Sequence, residues 1–256
     1  MSFLDAIVLS IIEGLTEFLP ISSTGHLILA GKLLGLATTE FVKSFEIIIQ
    51  LGAILAVVFL YRRTLFSSVK IWQKIIVAFL PTGILGLVFY RLIKQYLLGS
   101  ATVVLWSLFL GGIALIILEK FFKEEKAPLQ KSEDLSYGHA VLIGLFQSLA
   151  MIPGVSRAAA TIFGGMFLGM ERRAAVEFSF FLAVPTMLAA SGWDLLKTGW
   201  SFTAEEILIL SIGFVGSFTV AYFTVKYFIK YIQTHTFIPF GVYRIIVAIL
   251  FWLIII

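Results

Sequence analysis

Long uncharged apolar windows alternate with short polar breaks along this chain, and their lengths match the roughly 20 residues that an α-helix needs to cross a bilayer. Read this way, membrane-spanning helices are predicted at about 41–61, 73–90, 101–119, 173–193, 205–228 and 240–256. Two further apolar stretches, about 3–36 and 136–170, are interrupted. The first is broken by Pro20-Ile21-Ser22-Ser23-Thr24-Gly25-His26 and the second by Pro153-Gly154-Val155-Ser156-Arg157. Each half-segment has roughly ten to fifteen residues, too few to cross. Irregular backbone at membrane depth survives only where protein or a cavity satisfies its N–H and C=O groups. Both stretches are therefore predicted to be re-entrant helix–loop–helix hairpins.

The longest polar stretch runs from Glu119 to Asp134 and is the natural linker between two halves. In register, Glu13, Pro20 and Ser23 of the first half fall against Gln147, Pro153 and Ser156 of the second, and Glu46 to Leu51 against Glu177 to Leu182. The expected organisation is a single membrane domain, 1–256, made of a first repeat (1–118), a cytoplasmic linker (119–135) and a second repeat (136–256). The fold class is an all-α polytopic membrane protein with about six transmembrane helices and two re-entrant hairpins. An odd number of spans between the hairpins sends the second in from the opposite face, giving an inverted-topology repeat of the kind that builds midplane sites. Arg62, Arg63, Lys70, Lys74, Lys120, Lys123, Lys126, Lys131, Arg172, Arg173, Lys226 and Lys230 then share one face, against Lys32, Lys43, Arg91, Lys94 and Lys197 on the other. The positive-inside rule makes the richer face cytoplasmic, with both termini and the first hairpin facing outward.

Composition agrees with this reading: 60% of the residues are hydrophobic and 13% charged, with a mean hydropathy of +1.03. A chain of this length has no room for an extramembrane enzyme domain beside the spans. The net charge of +4 is scattered and does not form a nucleic-acid footprint. With no cysteine, disulfides, thiolate nucleophiles and Cys-ligated metals are excluded. The N-terminus has Asp5 and no basic region before its apolar stretch, unlike a cleaved signal peptide.

Ionisable groups inside a membrane are costly and point to function, and Glu13, Glu17, His26 and Arg157 all fall within the interrupted segments. Glu13 and Glu17, four apart, share a helix face. They can bind a divalent cation such as Mg²⁺ or Ca²⁺, orient a histidine, act as a base, or simply pair with basic groups near an interface. Ser22, Ser23, Thr24 and His26 read as a turn ending at a helix N-terminus, which offers N–H groups and a positive dipole to an anion. With Ser23 as the cap, His26 lies at N3 within reach of its hydroxyl, the minimum arrangement for an activated nucleophile; an ordinary serine cap beside a carbonyl-bound histidine is the plainer reading. Ser156 and Arg157 open a second helix, with Thr161 one turn on. The guanidinium can grip a phosphate bidentately or pair with a glutamate such as Glu17. Arg244 interrupts the last span and reads either as a further phosphate contact or, the favoured reading, as a snorkelling interface residue. His139 and His235 lie near segment ends, and Glu46 and Gln50 can support the site from a neighbouring helix.

Glu13-x-x-x-Glu17, then Pro20 to His26, then Pro153-Gly154-Val155-Ser156-Arg157-x-x-x-Thr161 resemble, in this order and spacing, the signature segments of the bacterial undecaprenyl-diphosphate phosphatase family associated with bacitracin resistance. The likeness covers the whole chain. One departure is visible: the family often carries a serine where this chain has Ala158. The resemblance implies hydrolysis of undecaprenyl diphosphate to the lipid monophosphate carrier used in cell-wall synthesis, at a plasma-membrane site opening outward. It implies catalytic roles for Ser23, His26, Glu17 and Arg157 and substrate contacts from Glu13, Ser22, Thr24, Ser156 and Thr161. Ser23 is then the nucleophile, with His26 as its base or as the acid for the leaving group, and Glu17 orienting the histidine or holding a divalent ion. Water activated by His26 or Glu17 is the competing attack. The expected partners are a polyprenyl diphosphate lipid and the membrane, with no nucleic acid and no organic cofactor, and a homodimer is compatible with the sequence. The rival function is a lipid or small-anion transporter or flippase using the same midplane site; a membrane scaffold is a third.

Overall fold

The computed structural model describes residues 1–37, 39–92, 100–124, 127–198 and 202–255. Lys94, Glu125, Lys126 and Ile256, which entered the charge, linker and last-span readings above, lie outside them. Among the described residues the regular elements are helical: α1 (Phe3–Thr16), α2 (Ser23–Leu33), α3 (Glu40–Leu60), α4 (Arg62–Ser67), α5 (Val69–Leu92), α6 (Ala101–Phe121), α7 (Tyr137–Ser148), α8 (Arg157–Phe167), α9 (Arg172–Thr198), α10 (Ala204–Ile232) and α11 (Ile238–Ile255).

Five of these, in α3, α5, α6, α9 and α10, are long and apolar enough to cross a membrane, and the protein is a multi-pass membrane protein. The sixth expected span, α11, is apolar apart from Arg244 and its polar neighbour Tyr243 and is 18 residues long, shorter than the five. Many large apolar side chains point away from the bundle, among them Leu80, Ile84 and Leu87 of α5, Val215 and Phe223 of α10 and Leu253 of α11. An apolar rim of this kind suits lipid rather than water. The short α4 was not legible in the pattern, because it holds one turn and a half between two spans.

Both interrupted segments are helix pairs around a bend: α1 with α2, and α7 with α8. The first turn of each second helix is closed by a serine with a positive φ, Ser22 at 73° and Ser156 at 76°, the two non-glycine residues with that geometry among those described. Each accepts a hydrogen bond from the amide three residues on, Gly25 and Ala159 respectively, which satisfies one of the open N–H groups of a helix start. The structure thus places Ser22, and not Ser23, opposite Ser156. At that same offset of 134 positions, Ser23–Leu33 falls on Arg157–Phe167, Glu13 on Gln147 and Ser23 on Arg157. The register read from sequence slipped by one residue because it anchored on Pro20 and Pro153, which are not equivalent.

The halves interleave. Helix α1 packs on α10 of the second half, and α7 packs on α5 of the first; α3 packs on α10 as α9 packs on α5, while α6 pairs with α11. Between apolar helices in lipid, association depends on close approach, which small residues permit. A Cβ on Gly144 of α7 would run into the Ala78 carbonyl of α5 and Pro81, and one on Gly216 of α10 would run into Ser10 of α1.

The linker begins later than the sequence suggested. Glu119 belongs to α6 and is buried, where it receives Arg172 through Nε (2.9 Å) and Nη2 (2.7 Å) and the amide of Phe237 (2.9 Å). Arg172 also pairs with Glu124 and lies 5.0 Å from the Phe122 ring. One carboxylate therefore ties together the end of α6, the start of α9 and the start of α11.

Candidate active site

The bend after α1 and the bend before α8 meet, and their meeting point holds the chemistry. Glu17 follows the last turn of α1 and is buried. One of its carboxylate oxygens accepts a hydrogen bond from the hydroxyl of Ser23, the first residue of α2. The other receives Nη2 of Arg157, the first residue of α8, at 3.1 Å. Residues 134 positions apart are thus joined through one carboxylate, which puts the serine oxygen within about 8 Å of the guanidinium, given two hydrogen bonds and a carboxylate's width.

Arg157 is held from behind. Its Nη1 donates to the Ser179 carbonyl of α9 (2.9 Å), its Cζ lies 5.9 Å from the Phe18 ring, and its buried Nε has no partner. Thr161 is turned into the protein: its buried hydroxyl bonds the Arg157 carbonyl (2.9 Å) and Ser179 Oγ (2.7 Å). It supports the arginine's helix turn. Ser179 was missed in the sequence because a lone serine in a phenylalanine-rich span carries no spacing signal; only the fold brings it to Arg157.

His26 is not bonded to Ser23. Ser22 caps the helix, so His26 sits at the fourth helical position, one turn from Ser23. Its Nδ1 donates to the Ser22 carbonyl (2.8 Å), since a carbonyl can only accept. In the neutral ring this leaves Nε2 to accept from the Tyr243 hydroxyl of α11 (2.8 Å), with the two rings stacked at 5.5 Å. Tyr243, 217 residues away, was invisible to sequence reasoning. The partner that geometry gives to Ser23 is Glu17.

Glu13 is fully buried, and neither of its oxygens has a hydrogen-bond partner. Its counterpart Gln147 is satisfied, donating to Thr82 Oγ1 (2.9 Å) and accepting from Thr186 (3.4 Å). Ser22 and Ser156 spend their oxygens on their own helix starts. Thr24 is exposed. Among the described residues no cluster of three or more His, Asp or Glu side chains forms a metal cage.

Arg244 is not an interface residue. It is completely buried, and its guanidinium is surrounded by backbone carbonyls of both bends and of α6.

The family described as bacitracin resistance protein BacA matches residues 6–250. An undecaprenyl-diphosphatase of Aquifex aeolicus is 52% identical over 247 residues, 96% of either chain. Those of Wolinella succinogenes and Persephonella marina are 50% and 49% identical, covering 98% and 99% of this chain and 97% and 99% of their own.

Proposed function

The chain belongs to the bacitracin resistance protein BacA family, and from that membership we propose that it hydrolyses undecaprenyl diphosphate to undecaprenyl phosphate and inorganic phosphate, renewing the lipid carrier for cell-wall synthesis. The protein is an enzyme, a phosphatase of the membrane, and its substrate is a polyprenyl diphosphate lipid. The observation that carries this reading is the Ser23–Glu17–Arg157 chain across the two bends. It brings a hydroxyl, a base and a phosphate-binding cation to one place beside two helix N-termini. Such a set answers what phosphoryl transfer needs, which is positioning and stabilisation of charge on the transferring group.

In this mechanism Glu17 occupies Arg157 until substrate arrives. The terminal phosphate takes over the guanidinium through Nη2 and the unpartnered Nε, with the open amides of α2 and α8 completing the cradle. Released from Arg157, Glu17 accepts the Ser23 proton as Ser23 Oγ bonds to the terminal phosphorus. The bond from that phosphorus to the bridging oxygen breaks, and the lipid monophosphate leaves with the proton. Water then attacks the phosphoserine, giving its proton to Glu17, which returns it to Ser23. His26, one turn from Ser23, is held by the Ser22 carbonyl and the Tyr243 hydroxyl and moves no proton in this sequence of steps. The hydrogen bond from Ser23 to Glu17 is what favours serine attack over direct attack by water.

Glu13, whose two oxygens have no hydrogen-bond partner, is the residue that would hold a divalent cation. Glu17 fits less well, since Ser23 and Arg157 already take its oxygens. Such a cation would neutralise charge on the diphosphate. We also place the two helix pairs as re-entrant hairpins from opposite faces of an inverted repeat, with the site opening outward in the plasma membrane; the matched serine caps and matched helix pairings support this.

The test is release of inorganic phosphate from undecaprenyl diphosphate by the purified protein in detergent, where no second compartment exists for transport to fill. Release that stops with Arg157→Ala is expected. A wild-type protein that binds the lipid yet releases no phosphate would leave the transporter reading, which the named relatives do not support, as the better one. A chelator arm reads the cation: loss of release that added Mg²⁺ or Ca²⁺ restores is expected.

A further inference from the structure

The guanidinium of Arg244 has five N–H groups, and each of the five bonds it makes goes to a different backbone carbonyl. Nη1 donates to Pro20 (3.0 Å) in the first bend and to Val155 (3.0 Å) in the second; Nη2 donates to Gly154 (3.0 Å) in the second bend and to Ser107 (2.9 Å) of α6; Nε donates to Leu108 (3.3 Å) of α6. The side chain is wholly buried and none of its bonds goes to a carboxylate. Burying a cation without a counter-charge is costly, and what offsets the cost here is the carbonyls of Pro20, Gly154 and Val155, which lie in the bends outside the helix ladders, together with the Ser107 and Leu108 carbonyls within α6. Space is made for the group: a Cβ on Gly111 of α6 would collide with the guanidinium, and one on Gly154 would collide with the Val104 carbonyl of α6.

We propose that Arg244 is a positioning residue, which clamps the two bends to each other and to α6 and so sets the alignment of Ser23 and Glu17 with Arg157. The inference rests on the hydrolytic reading of that site. Pro20 lies two residues before the cap Ser22, and Val155 immediately before the cap Ser156. Both caps hold positive φ values that are strained for a non-glycine residue, and such conformations persist only where their surroundings over-determine them. Arg244 supplies that constraint at both loops with one rigid plane. A carbonyl turned onto Arg244 also turns the amide of the same peptide the other way, so the clamp orients the Ser156 amide as well as the loop. Lysine, with three donors on a point charge and no planar fork, cannot reach both bends and α6 together.

The experiment uses the full chain, whose lack of cysteine allows two to be introduced for spin labels. Leu15 of α1 and Leu149, just past α7, are exposed, one on each hairpin. The label distance and steady-state phosphate release are measured in the background of Arg244→Lys, Arg244→Gln and Gly111→Ala, the last of which keeps the arginine and displaces it. Expected are a narrow distance distribution for the parent, a broadened or shifted one for the variants, and a fall in kcat of at least tenfold with KM changed less than threefold. This is the pattern of lost transition-state alignment. Wild-type kcat with an unchanged distribution in Arg244→Lys or Gly111→Ala overturns the proposal. So does lost turnover with an unchanged distribution, which would make Arg244 a direct substrate contact, and so does failure of all three variants to fold. If the parent itself releases no phosphate, the hydrolytic reading fails, while the distance measurement still decides whether the clamp exists.

Discussion

Glu17 is one carboxylate serving two partners, and that double duty makes the site sensitive to single atoms. Ser23→Ala removes the proposed nucleophile and should abolish turnover. Ser22→Ala should leave most of it but lose a helix cap, about 1 kcal/mol, whereas Ser22→Gly should cost only a few tenths and also relieve the positive φ. Phosphate release and thermal denaturation in detergent read the two effects separately. Arg157→Lys should lose most activity in a folded protein, because an ammonium cannot bridge Ser179 and a phosphate with a planar fork; near-parent turnover would show that bidentate geometry is not required. Glu13, Glu17, Ser23 and Arg157 were legible in the sequence, since ionisable and hydroxyl groups beside prolines and glycines stand out against an apolar background. The His26 contact was not. Its reach was judged from a cap placed one residue late, and its actual partner, Tyr243, comes from the far end of the chain. Arg244 was misread for a related reason: a lone cation in an apolar span looks the same whether it snorkels to water or is buried among carbonyls.

Helix ends and helix faces decide how the elements meet. The five long spans were legible to within about five residues because apolar length is a strong signal, α11, read as a sixth, is a shorter apolar helix, and both bends were legible from proline, glycine and serine. What hydropathy did not reveal is which helix packs on which, since that depends on small residues at close contacts. Gly144 is such a residue, and Gly144→Leu should separate α7 from α5 and lower the melting temperature, while the same change at Gly31, which has open space around it, should not. The start of the linker was misplaced because Glu119 looks like a loop residue by charge alone, although Arg172 and the Phe237 amide hold it in α6. Arg172→Ala would strand Glu119 with one donor, and removal of one partner from a buried pair costs about 3–5 kcal/mol. A chemical denaturation series on that variant should show a loss of this order, and a loss below about 1 kcal/mol would mean that Glu119 finds water.

Across the whole molecule, interleaving means that neither half has a complete site: Glu17 and Ser23 come from the first, Arg157 and Ser179 from the second. The charge asymmetry predicts a cytoplasmic linker. A cysteine replacing Lys131, exposed on that linker, should resist a membrane-impermeant reagent in intact cells and react after lysis; reaction in intact cells would reverse the orientation. The central claim is that two bends from different halves act as one hydrolytic unit. Groups that act as a unit give non-additive losses. The direct measurement is phosphate release by Ser23→Ala, Arg157→Ala and the double variant, each confirmed as folded. The account expects each single change to lose at least about a hundredfold and the double to be little worse than the more impaired single. Losses that multiply, or a single variant that keeps near-parent turnover, would contradict it.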